Sequence, residues 1–512
     1  MTYEPSFRLA TLVAVRLSNM RFLLAFCAVT VLHAQIDVAA VNRWRQTHER
    51  DILREYIPLI EIPNRASDTV NIRRNADQVL GMMTRRGIAT RLLELEGAPP
   101  VVFGEIKTAG AKRTLIFYAH YDGQPVDPKE WTSPPWKSVL RDGKGQTIDP
   151  FSAPLDAEAR LYARSVSDDK APIMALMAAL DAMKALGIAH QANLKFFFEG
   201  EEEAGSPHLE QYAKKYKDLL AGDVWLICDG PVHQNREPSL YFGVRGVVTV
   251  ELTVYGPKRE LHSGHYGNWA PNPAMMLSRL LATMTDGEGK VLVAGFYDDT
   301  RPLSAAERRA LLAVPAVDEE LKVELGLVNT DGNGARLVER LMLPSLNVRG
   351  LESAGTGANA RNVVPAKATA ALDLRLVKGN DHRRQVDKVK AHIRQQGYYL
   401  TSADPTDEER RKYSKIAKVT SREGYNAVRT SMDLPISKEV IATVRRTYPN
   451  LVLAPSLGGS VPLWVFEQEL QTLMIGVPIV NHDNSQHSFN ENLRLANLWQ
   501  GIVTMTTLLA MR

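Results

Sequence analysis

Five side chains that could bind metal ions occur along the chain, each within a short polar segment. The segments are YAHYDGQP, SVSDDKAP, FEGEEEAGS, ICDGP and DNSQHSFNEN. Imidazole and carboxylate are the ligands that zinc accepts when no thiolate is offered, and manganese or cobalt accept the same set. Two histidines and three carboxylates, one of them shared, can hold a pair of hydrolytic divalent metals. We therefore predict a two-metal amidohydrolase or peptidase with these ligands, in chain order: His120, Asp168, Glu203, Asp229 and His487.

The residues beside these ligands support the same interpretation. Asp122 follows His120 by two positions, so on a strand both side chains point to one face, and a metal-bound imidazole usually needs an acceptor on its other nitrogen. The three adjacent glutamates at 201–203 repel one another, and a divalent cation would relieve that repulsion. Taken singly, each segment has a structural explanation: a strand-end His-x-Asp pair, a helix N-cap, a solvated acidic loop or a turn. Their combination favours a metal site.

Short apolar segments precede several of the candidate ligands. TLIFYAHYD, NLKFFFEGE and DVWLICDG are typical of strands, and residues 171–186 have the spacing of a buried helix that ends near Gly187. Alternating strands and helices predict an α/β fold with a mixed, mostly parallel sheet. The candidate ligands follow the strand ends, where open α/β sheets place their binding sites.

The pattern changes near Tyr241. The segments VVTVELTVYG and ATAALDLRLVKG alternate strictly, as half-exposed antiparallel strands do, and a helix is predicted to begin near Pro273. We predict a catalytic domain at 36–240, an inserted α+β lid or dimerisation domain at 241–401, and a return segment of the catalytic domain at 402–512. Within the return segment, the charged stretch 404–438 predicts a solvated helix or a connecting excursion.

The composition is that of an ordinary globular protein. The chain has 512 residues, of which 45% are hydrophobic and 23% are charged. The formal net charge of +4 is small for this length, and no block of lysine and arginine resembles a nucleic-acid footprint. Nucleic acid is therefore excluded as a partner.

The first 35 residues predict an N-terminal signal. Arginines at positions 8, 16 and 21 precede the apolar run 22–32, which is too short to span a bilayer but suits the apolar region of a secretory signal. A start at Met20 would leave a compact signal. We expect export to the periplasm or medium, and a cytoplasmic location is the second choice. Cleavage would leave Cys228 as the single cysteine, so no intramolecular disulfide could form.

Over nearly the whole chain after residue 35, these segments resemble the carnosinase and aminoacylase family of di-metal peptidases, which includes carboxypeptidase G and bacterial dipeptidases. FEGEEEAGS and the large insertion before LNVRGLESAGTG are similar to the dipeptidase branch. The resemblance implies that His120, Asp168 and Asp229 hold one metal, that Glu203 and His487 hold the other, and that Asp168 bridges them. It also implies two divalent ions, zinc above manganese or cobalt, and a cis peptide after the bridging aspartate.

The resemblance also implies catalytic and substrate-binding residues. Glu202 would be the general base, and His262 of LHSGHYGN would reach the active site of the partner in a homodimer. Arg375 and the turn at Gly459 and Ser460 would hold the terminal carboxylate of the substrate. The chain departs from the family in having Ala163-Arg164-Ser165 and Ala171 where glycines are frequent.

The expected activity is hydrolysis of dipeptides or short peptides that carry a free C-terminal carboxylate. A water held by two metals would attack the scissile carbonyl while Glu202 accepts its proton. Two alternatives remain open: an N-acyl-amino-acid deacylase or carbamoyl-amide hydrolase on the same scaffold, and a catalytically silent binding protein of the envelope.

Overall fold

The core of the fold is an eight-stranded mixed sheet, seen in a computed structural model that describes residues 36–152 and 154–512. Four of its seven neighbouring pairs are parallel. In order across the sheet, the strands are Ala89–Leu93, Val101–Ile106, Asn193–Glu199, Thr114–His120, Val224–Ile227, Met474–Gly476, Ser239–Tyr241 and Val452–Ala454. The predicted α/β class with a mostly parallel central sheet is confirmed.

Helices cover both faces of this sheet because side chains of its strands alternate between two apolar cores. Phe196 and Phe198 belong to one core, whereas Phe197 belongs to the other. The first core is closed by the helices Val38–Ile60, Thr69–Arg85, Lys170–Leu186, Pro435–Thr447 and Leu495–Leu509. The second core is closed by the shorter helices Leu209–Lys215 and Trp464–Glu469.

The helix Lys170–Leu186 lies deep in the first core, as its apolar sequence predicted. Nearly all of its side chains are buried, and it packs between the helices Val38–Ile60 and Leu495–Leu509. Gly187 ends the helix with φ of 65°, a left-handed conformation that glycine adopts without steric cost. The first turn of this helix is therefore held rigidly beside the strand ends of the sheet.

A second sheet of five strands forms a separate layer. Its strands, in order, are Ser345–Glu352, Lys367–Leu376, Gly246–Tyr255, Ile416–Ser421 and Tyr399–Thr401, all antiparallel except for the last pair. The helices Pro273–Ala282 and His382–Gln395 pack on one face, and the first of them begins at Pro273 as predicted.

The predicted domain boundary near residue 401 falls short of the second layer. The strand Ile416–Ser421 pairs with Gly246–Tyr255, so residues from the supposed connecting excursion 404–438 complete this sheet. The charge-rich part of that excursion does form an exposed helix, Asp407–Lys412. The strand Ile416–Ser421 is buried at Ile416 and Ala417 and exposed at its other end, so it lacks the alternating pattern that would have predicted its pairing.

The remaining elements are short. A small sheet contains Asn492–Arg494, Arg160–Tyr162, Val139–Arg141 and Thr147–Ile148, and two-stranded ribbons pair Gly243–Val244 with Val428–Arg429 and Leu261–His262 with Val363–Val364. Further helices are Ser263–Tyr266, Ala305–Ala313, Asp318–Glu324 and Leu337–Arg340. The predicted signal segment 1–35 lies outside the described residues, and no helix among those described is both long and apolar enough to cross a bilayer.

Candidate metal centre

Three neighbouring parallel strands end at the same edge of the central sheet and carry the first candidate ligands there. The strand Thr114–His120 lies between Asn193–Glu199 and Val224–Ile227. His120 is the last residue of the middle strand, and Asp229 follows the end of its neighbour by two positions. Both side chains are buried. Parallel pairing thus brings together residues that are far apart in the sequence.

Asp122 lies behind this edge and organises it. His120 Nδ1 is 3.3 Å from Asp122 Oδ1, as expected for an imidazole whose other nitrogen faces the site. The same carboxylate accepts hydrogen bonds from the backbone N–H groups of Glu202 (3.1 Å) and Glu203 (3.0 Å). One buried carboxylate therefore orients both the histidine and the glutamate loop.

Asp168 and Asp169 lie at the start of the buried helix Lys170–Leu186 and are joined by a cis peptide bond, as the resemblance implied. Asp168 Oδ1 is 3.1 Å from His120 Nε2, and its other oxygen, Oδ2, is 3.2 Å from His487 Nε2. Asp168 therefore lies between the two histidines with one oxygen towards each. No side-chain cap hydrogen bond is made at this helix start, so a plain N-cap does not explain the aspartates.

The donor atoms form two groups. His120, Asp169 and Asp229 offer ligand atoms that all lie within 4.8 Å of one another, and Asp168, Glu203 and His487 form a second such group. His487 Nε2 is also 3.3 Å from Glu203 Oε2. All five predicted ligands are thus brought together. Asp169 is an additional member that sequence reasoning missed, although it stands directly beside Asp168 in the SVSDDKAP segment.

The loop that carries Asp168 is anchored by Glu491, a residue that the sequence reasoning did not single out. Its buried carboxylate accepts hydrogen bonds from Arg164 Nη1 (2.8 Å) and from the backbone N–H groups of Ser167 and Asp168 (both 3.0 Å). It also accepts from the Ser167 hydroxyl at 2.7 Å and from the Ser165 N–H at 2.9 Å. The only signal in the sequence was its position four residues after His487.

Ser165 occupies one of the positions where the family often has glycine. Its φ of 59° is in the left-handed region that glycine favours. Its hydroxyl accepts a hydrogen bond from Asn64 Nδ2 at 2.9 Å, and Asn64 also binds the backbone carbonyl of Tyr121. The hydrogen bond from Asn64 to the Ser165 hydroxyl therefore stabilises a backbone turn at a position where the family often has glycine.

Burial and mutual repulsion shift the pKa values of the acidic groups in the site. Burial and the neighbouring Asp168 raise the pKa of Glu203 to about 8 and that of Asp229 to about 6. Burial and nearby carboxylates also raise the pKa of Glu202 well above its usual value. For Asp168 burial opposes the shift, but the hydrogen bonds from His120 and His487 lower its pKa. Crowded, buried carboxylates beside two imidazoles are a donor set that suits two divalent cations.

The residues predicted to bind the substrate carboxylate meet across the two layers. Arg375, on the strand Lys367–Leu376, donates from Nη1 to the Ser460 hydroxyl at 2.8 Å and from Nε to Asp373 at 2.9 Å. The Gly459 carbonyl accepts a hydrogen bond from the backbone N–H of Arg245 at 3.0 Å. Arg375 is about one-third exposed, since its side chain retains 35% of its accessible surface. The Arg375 side chain therefore remains accessible to a bound molecule.

His262 does not join the metal cluster within its own chain. It is exposed, its Nδ1 accepts from the backbone N–H of Gly264 at 3.1 Å, and its ring lies 4.5 Å from that of His265. These contacts keep it within its own loop. The resemblance implied a role in the partner subunit, and the intrachain contacts are compatible with that expectation.

Comparison with known proteins agrees with this geometry. Residues 116–511 match the sequence profile of Peptidase family M20/M25/M40. The chain belongs to this family. The predicted family and the metallopeptidase class are thereby confirmed, and the two donor groups are the candidate sites of its metal ions.

Two curated M20 relatives are dipeptidases. The chain is 30% identical over 423 residues to the Cys-Gly metallodipeptidase DUG1 of Candida albicans, covering 80% of each protein. It is 28% identical over 413 residues to the human Beta-Ala-His dipeptidase, covering 79% of this chain and 75% of that protein. These matches support a dipeptidase rather than a deacylase or a silent binding protein.

A solved M20 structure has the same architecture. The M20 family metallo-carboxypeptidase Sso-CP2 from Sulfolobus solfataricus superposes with a TM-score of 0.74 at 28% identity, covering 90% of this chain and 99% of that one. The agreement extends over both layers of the fold.

Proposed function

We propose that this M20 metallodipeptidase cleaves dipeptides or short peptides that carry a free C-terminal carboxylate, with two divalent cations, zinc being the first choice. The observation that carries the proposal is the position of Asp168, one oxygen towards His120 and the other towards His487. A carboxylate between two imidazoles, each beside further acidic groups, suits a bridging ligand.

The proposed ligands divide as the two donor groups suggest. His120 and Asp229 would bind one cation and Glu203 and His487 the other, with Asp168 shared. Bound in this way, the metal pair supplies a water of lowered pKa and polarises the scissile carbonyl. Asp169 accepts a hydrogen bond from the backbone N–H of His120 at 3.2 Å. We therefore propose that Asp169 orients His120 and is not itself a ligand.

Glu202 is the proposed general base. Its carboxylate lies 3.9 Å from His120 Nε2, at the edge of the metal cluster, and Asp122 fixes its backbone. Burial raises its pKa, and the neighbouring Asp229 and Glu203 raise it further although His120 opposes them. Glu202 would accept the proton of the attacking water and pass it to the leaving amine.

The test of this assignment is Glu202→Gln. We expect kcat to fall by about two to four orders of magnitude while metal content and the unfolding midpoint stay near wild type. Glu210→Gln, on the nearby surface helix Leu209–Lys215, is the matched control and should retain full activity. Turnover of Glu202→Gln near the wild-type rate would refute the base assignment.

The substrate class and the metal are tested together. Metal-stripped enzyme is assayed with zinc, manganese or cobalt returned in turn, on dipeptides, dipeptide amides, N-acyl amino acids and carbamoyl amino acids. We expect dipeptides with free carboxylates to be hydrolysed fastest. Activity confined to N-acyl or carbamoyl substrates would replace the dipeptidase proposal with the alternative hydrolases.

We also propose a homodimer formed through the second layer. The strand Ser345–Glu352 is at an edge of its sheet, so its outer backbone groups have no strand partner among the described residues. It exposes Val348 and Leu351, the latter at 63%, and the helix Pro273–Ala282 exposes Met275 at 54% on the same layer. An exposed, apolar edge strand can pair with the same strand of a second copy about a twofold axis. Leu351→Glu should give monomers in light scattering, whereas Leu327→Glu, at another exposed leucine, should not.

His262 is proposed to act in the partner's active site, where it would donate to the developing oxyanion. Subunit mixing tests this directly. The His262→Ala and Glu202→Gln enzymes should each be nearly inactive, but a mixed dimer would contain one site with both groups intact. Equal mixing should therefore restore about a quarter of wild-type activity. No recovery after verified subunit exchange would show that His262 acts within its own chain or not at all.

Export is proposed from residues 1–35 alone, because the arginines and apolar run have the order of a secretory signal. Mass spectrometry of the N-terminus of the mature protein, recovered from the extracytoplasmic fraction, tests it. An intact N-terminus in the cytoplasmic fraction would contradict the proposal.

A further inference from the structure

Tyr425 lies beside the proposed carboxylate site through strand pairing. Its backbone exchanges two hydrogen bonds with Val247, both of 3.0 Å, and Val247 pairs with Arg375 on the next strand. Residues paired directly across antiparallel strands point their side chains to the same face. Tyr425, Val247 and Arg375 therefore share the face of the second layer on which Arg375 reaches Ser460.

Local packing fixes the Tyr425 backbone in this position. A Cβ placed on Gly246 would lie 2.4 Å from the Tyr425 carbonyl oxygen, so only glycine allows the two segments to approach this closely. The Gly246 carbonyl also accepts from the Ser460 hydroxyl at 3.4 Å. The start of the strand Gly246–Tyr255 thus contacts both Tyr425 and the turn that contains Ser460.

The phenol of Tyr425 is partly buried on this face of the second layer. Burial raises its pKa, and Glu202 raises it further, whereas Arg375 lowers it. The side chain is therefore within electrostatic range of both groups and stays protonated at neutral pH. Within the described part of the chain, its hydroxyl has no hydrogen-bond partner and is available to donate to a bound molecule.

The local charge balance favours an anion at this point. Arg375 and the buried Arg245 lie close together, with Arg245 Nη2 3.5 Å from the Arg375 carbonyl, and Asp373 is the carboxylate bound to Arg375. Burial and then the neighbouring Arg375 lower the pKa of Arg245 to about 10, so both guanidiniums are still charged at neutral pH. Two cations against one carboxylate leave a net positive site that an incoming carboxylate would neutralise.

We propose that the Tyr425 hydroxyl donates to the C-terminal carboxylate of the substrate alongside Arg375, and thereby selects free peptides over C-terminal amides. This inference rests on the proposed dipeptidase function. It adds a recognition group from the 404–438 stretch, in which no site residue was predicted. A hydrogen bond to a charged group is worth more than one to a neutral group, so the carboxylate gains more from the phenol than an amide does.

Tyr425→Phe removes the hydroxyl and keeps the ring. With alanylglycine as substrate, we expect kcat/KM to fall about 10- to 100-fold, mostly through KM, because one hydrogen bond to a charged group is lost. With alanylglycinamide, kcat/KM should change by less than about twofold. Tyr399→Phe is the control, because Tyr399 stacks on Tyr413 at the far edge of the same sheet, with ring centroids 3.9 Å apart, and both activities should stay at wild type.

A second variant separates failure of this inference from failure of the proposed function. Arg375→Gln should also reduce the preference for the free acid over the amide. If Arg375→Gln reduces it and Tyr425→Phe, folded by circular dichroism, does not, the Tyr425 inference alone is overturned. If neither variant changes the preference, the proposed requirement for a free carboxylate is wrong and the inference falls with it.

Discussion

Glu491→Gln perturbs the site without replacing any proposed metal ligand. The carboxylate of Glu491 is 1% exposed and binds Arg164, whose side chain is 3% exposed, at 2.8 Å. It also accepts from the loop N–H groups that precede and include Asp168. Glutamine has nearly the same shape, but its NH₂ group cannot accept, so some of these donors lose their acceptor and Arg164 loses its counter-charge.

The expected loss is large because both partners are buried. Removing one member of a buried ion pair typically costs about 3–5 kcal/mol, since the remaining charge stays desolvated without compensation. The second consequence concerns metal binding. Glu491 supports the backbone of the proposed bridging Asp168, and outer-sphere partners of this kind typically contribute about 10- to 100-fold in metal affinity.

Two measurements check these values. Chemical denaturation of metal-stripped protein gives the change in unfolding free energy, and titration with cobalt followed by its absorption gives the change in affinity. Asp51→Asn is the matched control, because Asp51 pairs with Arg54 at 2.7 Å but both side chains are more than half exposed. A surface pair of this kind contributes about 0–1 kcal/mol. If Glu491→Gln behaves like this control in both measurements, the anchoring argument is refuted.

The pKa values of Glu203 (about 8) and Asp229 (about 6) exceed their ordinary values of 4.5 and 3.8, so these groups favour the metal-free fold most below pH about 4. Their contribution to the unfolding free energy is lost as the pH rises through 6 and then 8. Metal affinity rises over the same range, because metal binding displaces protons from these groups. From pH 5 to pH 8.5, denaturation should therefore show a lower stability of the metal-free protein, and metal titration a higher affinity. Asp122→Asn should lower kcat about 10- to 100-fold with both metals retained, and an unchanged kcat at full metal content would contradict its orienting role. Gly476→Ala should lower the unfolding free energy by about 1–3 kcal/mol, because its Cβ would lie 2.0 Å from the Tyr241 ring; an unchanged urea midpoint would disprove this overpacking.

Sequence patterns were most informative where local chemistry and local structure coincide. Apolar runs that end in polar residues predicted the strands that carry His120 and Asp229, and the helix ended at Gly187 as its pattern indicated. The strand Ile416–Ser421 was missed because it is buried at Ile416 and Ala417 and exposed at its other end, so it shows no alternation and its pairing depends on a distant partner strand. A periodic sequence pattern predicts a strand only where burial alternates along that strand.

By itself, the sequence determined which residue types were available for chemistry: two histidines, a set of carboxylates after apolar segments, and an arginine on an alternating strand. Only the tertiary structure decided that Asp168 turns one oxygen to each histidine, that Asp169 joins the cluster, and that Glu491 and Tyr425 lie beside the site. The physical reason is that these contacts join residues separated by tens to hundreds of positions. Side-chain type and spacing determine what a residue can bind, whereas the topology and the strand register determine which residues lie beside it.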